Sequence, residues 1–213
     1  MNVGVLASGS GTNLQALIGA AARGELDPAR LAVVGVNVPG CGALERATQA
    51  GIPSFVLDHK AFASREGFDA ALVESLRRHQ VELVVLAGFM RLLTPAFLAA
   101  FPHRVVNIHP ALLPAFPGTH AQRQAFSYGV KVSGCTVHFV DTGTDTGPII
   151  AQAVVPVLES DDEESLRARI LTEEHRLLPA VVRAVAEGRV SVDGRMVRVR
   201  GAAIEADARL RSL

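Results

Sequence analysis

Three short stretches of the chain carry residue types that can do chemistry. In Val105-Val106-Asn107-Ile108-His109-Pro110 a carboxamide and an imidazole stand two positions apart at the end of an apolar run. On an extended strand those side chains leave the same face, and Pro110 pushes His109 toward extended geometry. An amide N–H can donate to an oxygen that gains negative charge, and an imidazole can donate or shuttle a proton. Asn and His together therefore suit acyl transfer, although a lone Asn-x-His is also common in purely structural settings. The second stretch is Asp141-Thr142-Gly143-Thr144-Asp145-Thr146-Gly147-Pro148. Asp-Thr-Gly favours a turn because Asp bonds its own backbone. A calcium loop fits poorly, since position twelve counted from Asp141 is Gln152. A carboxylate near His109 would raise the imidazole pKa and fix its tautomer, but spacing alone does not bring Asp145 there.

The third stretch, Ala7-Ser8-Gly9-Ser10-Gly11-Thr12-Asn13, lies between an apolar run and an amphipathic one. Backbone amides at a helix start, freed by glycines to approach closely, form a phosphate cradle. The dinucleotide fingerprint fails because Leu14 takes the third glycine's place, and no Gly-Lys-Ser/Thr follows as a P-loop requires. A hydroxyl-rich phosphate site without a lysine remains, or a plain tight turn into a helix.

The elements that must position these residues follow from periodicity. Val3–Leu6, Leu31–Val36, Leu83–Leu86 and Val105–Ile108 read as buried strands. Between the first two, Leu14, Leu17, Ile18 and Ala21 recur at helical spacing, with Gly24 as a stop. Helices are also expected over Gly42–Gln49 and through Phe68, Leu72 and Leu76. Such alternation implies a Rossmann-like, doubly wound α/β fold: a mostly parallel sheet with helices on both faces. Residues 110–120, with three prolines and Gly118, read as a stiffened loop. Alternation over Val130–Val140 and a run at Ile149–Val157 suggest an antiparallel C-terminal portion. Ser160 with Glu163 is a capping-box signature for a final helix, in which Pro179 should force a kink or restart. Val190–Val192 and Met196–Val199 suggest a small hairpin. No linker or repeat interrupts the 213 residues, so one domain is expected.

Lys+Arg and Asp+Glu balance at 21 each, which argues against nucleic acid or acidic lipid as a partner. Anionic ligands must then be caught locally, by loops and helix ends. Cys41 and Cys135 lack disulfide or metal spacing, and the histidines at 59, 79, 103, 120, 138 and 175 form no zinc pattern. No metal is expected, and most of these histidines read as surface or satisfied polar groups. His120 stands apart from them as a residue that could line the cleft. Neither a signal peptide nor an apolar run of membrane-spanning length is seen, so a cytoplasmic location is expected.

Taken together, the chain resembles the folate-dependent phosphoribosylglycinamide formyltransferases of purine synthesis. The resemblance rests on Val-Leu-Ala-Ser-Gly-Ser-Gly-Thr-Asn-Leu-Gln-Ala at 5–16, Leu-Glu-Arg-Ala at 44–47 and Val-Val-Leu-Ala-Gly-Phe-Met-Arg-Leu-Leu at 84–93. It rests further on Asn-Ile-His-Pro-Ala-Leu-Leu-Pro-Ala-Phe-Pro-Gly-Thr-His at 107–120, Val-His-Phe-Val at 137–140 and Glu-His at 174–175. It weakens over 185–213. The resemblance implies a single formyltransferase domain over 1–213, with a phosphate-binding half (1–108) and a folate-site half (109–213). It implies Asn107, His109 and Asp145 as the catalytic set, with Asp145 keeping the imidazole protonated. Gly11, Thr12, Asn13 and Glu174 would hold the ribonucleotide. Arg65, Met90, Arg91, Leu92, Leu93, Asn107 and the loop Asp141, Thr142, Gly143, Thr144 and Asp145 would hold the folate. The co-substrate would be 10-formyltetrahydrofolate, without a metal, and the protein a monomer or homodimer acting on small molecules. The segment Asn37-Val38-Pro39-Gly40-Cys41-Gly42 departs from the family pattern, which leaves any substrate contact there open. Transfer-RNA formyltransferases and formyl-folate hydrolases share the 107–120 block but are expected to carry further domains. A non-catalytic folate- or nucleotide-binding protein is the reading from another class.

Overall fold

A computed structural model describes residues 1–201 of the chain. Runs of apolar, mostly β-branched residues build β1 (Asn2–Ala7), β2 (Arg30–Val36), β4 (Leu83–Leu86) and β5 (Val105–His109). These match the expected strands to within two residues at either end. A short edge strand, β3 (Ser54–Val56), completes the parallel portion. The order is β3-β2-β1-β4-β5-β6-β7, with β6 (Val132–Phe139) and β7 (Ile149–Pro156) antiparallel. The mostly parallel sheet with an antiparallel C-terminal portion is thus present. Strand order reverses between β1 and β4, and the crevice outside their carboxyl ends is where such sheets take ligands.

Side-chain alternation divides the interior in two. Val3, Val5, Leu83, Val85, Val106 and Ile108 face one cluster. Helices α1 (Thr12–Ala22), α2 (Gly42–Gln49) and α6 (Glu163–Ala186) cover it. Leu6, Val84, Leu86 and Val105 face the other cluster, covered by α3 (Arg65–Arg78) and α4 (Pro95–Ala100). Asn107 and His109 continue the Val105 face at the strand's carboxyl end. The cap of α4 is doubly held, since Thr94 Oγ1 accepts from Phe97 N at 3.3 Å and the buried Asp69 accepts from Thr94 N at 2.6 Å. That bond fixes the segment leaving β4 against α3.

The structure decides two points about α6. Its capping box is Asp162 with Ser165, not Ser160 with Glu163: Ser165 N donates to Asp162 at 2.8 Å and Asp162 N to Ser165 Oγ at 2.9 Å. The helix also does not restart at Pro179, which lies buried inside one continuous element. Proline there loses one i→i−4 bond, and the buried stripe of Ile170, Leu177, Leu178, Val181 and Val182 holds the helix through the defect. After α6 comes the expected hairpin, β8 (Val190–Asp193) and β9 (Met196–Val199). Helices α4 and α5 (Ala121–Tyr128) were not expected. No helix among the described residues is long and apolar enough to cross a membrane.

Phe68 centres the second cluster, 1% exposed and edge-on to Phe62 at 5.4 Å between ring centroids. Phe68→Ala is expected to cost about 3–5 kcal/mol. The check is a fall in the denaturant midpoint at unchanged slope.

Candidate active site

The crevice begins at the carboxyl end of β5. Asn107 and His109 sit there, and the loop after β6 delivers Asp145 between them. Asp145 Oδ2 lies 3.3 Å from His109 Nδ1 and accepts from Gly118 N at 2.7 Å. Asp145 Oδ1 meets Asn107 Nδ2 at 3.5 Å, a long contact. The three expected catalytic residues therefore converge from two distant stretches. Asp145 takes a left-handed backbone, φ 55°, which costs a non-glycine residue on the order of 1–2 kcal/mol. Phe116 and His120 in the facing loop are left-handed as well, at φ 53° and 60°. His120 itself is exposed at the start of α5. Gly147 allows the 141–147 loop to return tightly, because a Cβ there would enter the Phe139 carbonyl.

One member of this cluster went unread in the sequence. His138, expected to be a surface or satisfied polar residue, is 2% exposed and stands directly across the antiparallel ladder from Asn107. Its Nδ1 lies 2.8 Å from the Phe139 carbonyl, so that nitrogen carries the proton. Nε2 then accepts from Asn107 Nδ2 at 3.1 Å, which fixes the orientation of the amide. Nε2 is also 3.7 Å from Asp145 Oδ1. Alternation along β6 showed that His138 faces away from Val137 and Phe139. The antiparallel register that sets it against Asn107 has no local signature.

The electrostatics of this cluster follow from its burial. Burial pushes the His109 imidazole below its usual pKa, and neither the Phe116 carbonyl, 2.8 Å from Nε2, nor Asp145 fully offsets that. For Asp145, burial acts to raise the pKa, but the His138 side chain, the Gly118 N–H and the His109 ring together hold it below the ordinary carboxyl value.

At the carboxyl end of β1, Gly11 precedes α1 with φ 73°, and among the described residues no side chain caps the helix. The first-turn N–H groups of Thr12 and Asn13 are thus free to meet an anion. Gly11 must be glycine twice over, since a Cβ would also stand 2.7 Å from Ala43 Cα. Asn13 Nδ2 donates to Glu174 at 2.6 Å in a buried contact. Burial raises the Glu174 pKa against that bond. Gly11, Thr12, Asn13 and Glu174 therefore form one patch, as expected.

Ser8 joins this patch to the next wall. Its hydroxyl accepts from Met90 N at 2.8 Å and donates to Asn37 Oδ1 at 2.6 Å. Asn37, from the atypical 37–42 segment, is buried and also meets His59 Nδ1 at 3.2 Å. Asn37 thus braces the Ser8 turn from behind. Along the wall, Met90 and Leu92 are exposed by 67% and 58%, and Arg65 donates to the Leu92 carbonyl at 3.0 Å. Arg91 lies over the Phe68 ring. Leu93 differs from its neighbours, for its side chain is buried in the second cluster and supports the wall from beneath. In the remaining loop, Asp141 Oδ1 accepts from Gly143 N and Thr146 Oγ1, while Thr142 and Thr144 are exposed. Cys135 is buried, its thiol pushed up to about 12 by desolvation, and is inert.

A family model described as formyl transferase matches residues 1–182. The chain belongs to the formyl transferase family. It is 52% identical over 191 residues to phosphoribosylglycinamide formyltransferase of Mycobacterium tuberculosis, covering 90% of this chain and 87% of that one. It is 53% identical over 189 residues to the trifunctional purine biosynthetic protein adenosine-3 of Drosophila melanogaster, of which the match spans 14%. Among solved structures, glycinamide ribonucleotide transformylase 1 from Symbiobacterium toebii superposes with a TM-score of 0.91 at 55% identity, covering 93% of each chain.

The lowered His109 pKa has a stability consequence. Between the ordinary imidazole pKa and the folded value, the unfolded chain binds the proton that the folded ring refuses, so stability falls as pH drops below about 6.5. His175, lowered by burial, adds to the same window. His109→Gln is therefore expected to shrink the stability lost between pH 7 and 5, read from urea midpoints across that range.

Proposed function

We propose that this chain transfers the formyl group of 10-formyltetrahydrofolate to the amine of 5'-phosphoribosylglycinamide, yielding the N-formyl product and tetrahydrofolate in purine (IMP) synthesis. The observation that carries this reading is the 3.3 Å approach of Asp145 to His109 beside Asn107, at the carboxyl end of β5. Support comes from the uncapped α1 and the Asn13–Glu174 pair, and from membership of the formyl transferase family. The exposed Met90 and Leu92 with Arg65 form an apolar wall with a cationic rim, which suits a flat heteroaromatic ring carrying a carboxylate tail.

The substrate's neutral amine attacks the formyl carbon, and the carbonyl electrons move onto oxygen. Asn107 keeps one N–H on His138, and the other, held only by the long contact to Asp145, turns to that oxygen. In the ligand-free protein the Phe116 carbonyl holds on His109 Nε2 the place that the substrate oxygen takes. His109, its ring held by Asp145, donates from Nε2 to the same oxygen, and Asp145, directly or through water, takes the proton shed by the attacking nitrogen. The proton then passes to the folate nitrogen as its carbon–nitrogen bond breaks. No covalent enzyme intermediate is required.

Losing one oxyanion donor costs about 100- to 1000-fold in rate. His109→Ala and Asp145→Ala are expected to lose turnover on that scale while keeping the far-ultraviolet circular dichroism of the parent. His138→Ala, which removes one neutral hydrogen bond behind Asn107, should lower kcat about tenfold. Formyl transfer measured with and without phosphoribosylglycinamide separates this reading from donor hydrolysis and from simple binding. Near-normal turnover in both His109→Ala and Asp145→Ala would sink it.

A further inference from the structure

The C-terminal hairpin lies beyond the part of the chain that the formyl transferase family model matches, which ends at residue 182. Its inner residues Val190, Val192, Val197 and Val199 pack against the first core cluster, and Arg200 N closes its base onto the Arg189 carbonyl at 2.9 Å. The turn between its strands is Gly194-Arg195, with Gly194 left-handed. From that turn Arg195 Nη1 donates to the Thr146 carbonyl at 3.0 Å.

Thr146 directly follows Asp145. The loop that carries Asp145 is tied within itself by Asp141, whose Oδ1 accepts from Thr146 Oγ1 at 2.7 Å and Gly143 N at 3.1 Å. Those bonds close the loop but do not set its tilt over the crevice. Among the described residues, Arg195 is the one side chain from outside the loop that bonds its main chain. A left-handed aspartate persists only where its surroundings over-determine it, and the Thr146 carbonyl belongs to the residue next to that backbone.

We infer that Arg195 is a positioning residue: from the hairpin turn it pins the Thr146 carbonyl and so holds Asp145 at bonding distance from His109. The inference rests on the proposed reaction for its kinetic readout and on the fold alone for its dynamic one. The guanidinium donates a charge-assisted bond to a neutral carbonyl at the surface, and its loss should be felt several-fold and not by orders of magnitude.

The test compares the full chain with Arg195→Met, which keeps an apolar stem, and Arg195→Lys, which keeps a donor. In Arg195→Met, kcat is expected to fall about three- to tenfold, with the KM for phosphoribosylglycinamide and the thermal midpoint unchanged. Arg195→Lys should recover most of that loss. Amide hydrogen exchange over residues 141–147 of the ligand-free protein should quicken in Arg195→Met and be restored in Arg195→Lys. Unchanged exchange in Arg195→Met overturns the inference, as does a kcat within twofold of the parent. A common fall in kcat, both KM-derived affinities and thermal midpoint also overturns it, since that pattern marks general support of the fold. A parent that transfers no formyl group counts against the proposed function, and exchange then decides the role of Arg195 by itself.

Discussion

A carboxylate withdrawn from water must be met by donors, and the crevice of this protein is organised around that demand at Asp145. Burial alone would push the group toward neutrality. Instead the Gly118 N–H it accepts and the flanking imidazoles of His138 and His109 hold its pKa below the ordinary carboxyl value. Each of these groups comes from a different piece of backbone: the loop after β5, the end of β6, and β5 itself. The left-handed turns at Phe116 and Asp145 lie where two loops lean over one carboxyl group. Strain of this kind persists only where the surrounding bonds over-determine it.

The change of strand direction after β5 makes this convergence possible. In an antiparallel pair, residues directly opposite share a face and lie close. Asn107 therefore meets His138, and His109 meets Thr136. Thr136 is fully buried; its hydroxyl donates to the Ala111 carbonyl at 2.7 Å and accepts from Leu113 N at 3.1 Å. Gln152 on β7 adds a bond to the Leu113 carbonyl at 2.9 Å. The same two strands that orient the amide thus also anchor the loop that delivers the Phe116 carbonyl and the Gly118 N–H. A parallel partner for β5 would have required a crossover helix where that loop now runs.

Much of this was legible in local patterns. The parallel strands showed as β-branched runs, α2 as an amphipathic stretch with its bounds, and Asn107 and His109 as neighbours on one strand face. The meeting of Asp145 with His109 came only through resemblance, because contact between residues 36 positions apart has no local cause. His138 was missed for a related reason, its partner being chosen by the β5–β6 register. The capping of α6 was misassigned because Ser160 and Asp162 both begin plausible boxes, and the bonds between Asp162 and Ser165 decide between them. The Asn37 brace behind Ser8 was invisible, since a buried asparagine in a Pro/Gly segment reads as an ordinary turn.

The two ends of the crevice differ in chemistry, and that difference bears on which acceptor the proposed reaction takes. At the α1 end, Asn13 gives its N–H to Glu174, and its Oδ1 has no partner among the described residues. A buried acceptor left unpaired is costly, so this end favours a ligand that brings hydroxyl or N–H donors as well as an anion for the helix start. A phosphoribosyl group brings both, and a water molecule brings no anion. Binding energy gained there, remote from the formyl carbon, can be spent on aligning the amine with His109 and Asn107. Ser8 links the two ends physically, because its hydroxyl accepts from Met90 N on one side while its own turn leads into Gly11 on the other. The α1 patch and the Met90–Leu92 wall are therefore joined along one edge of the sheet.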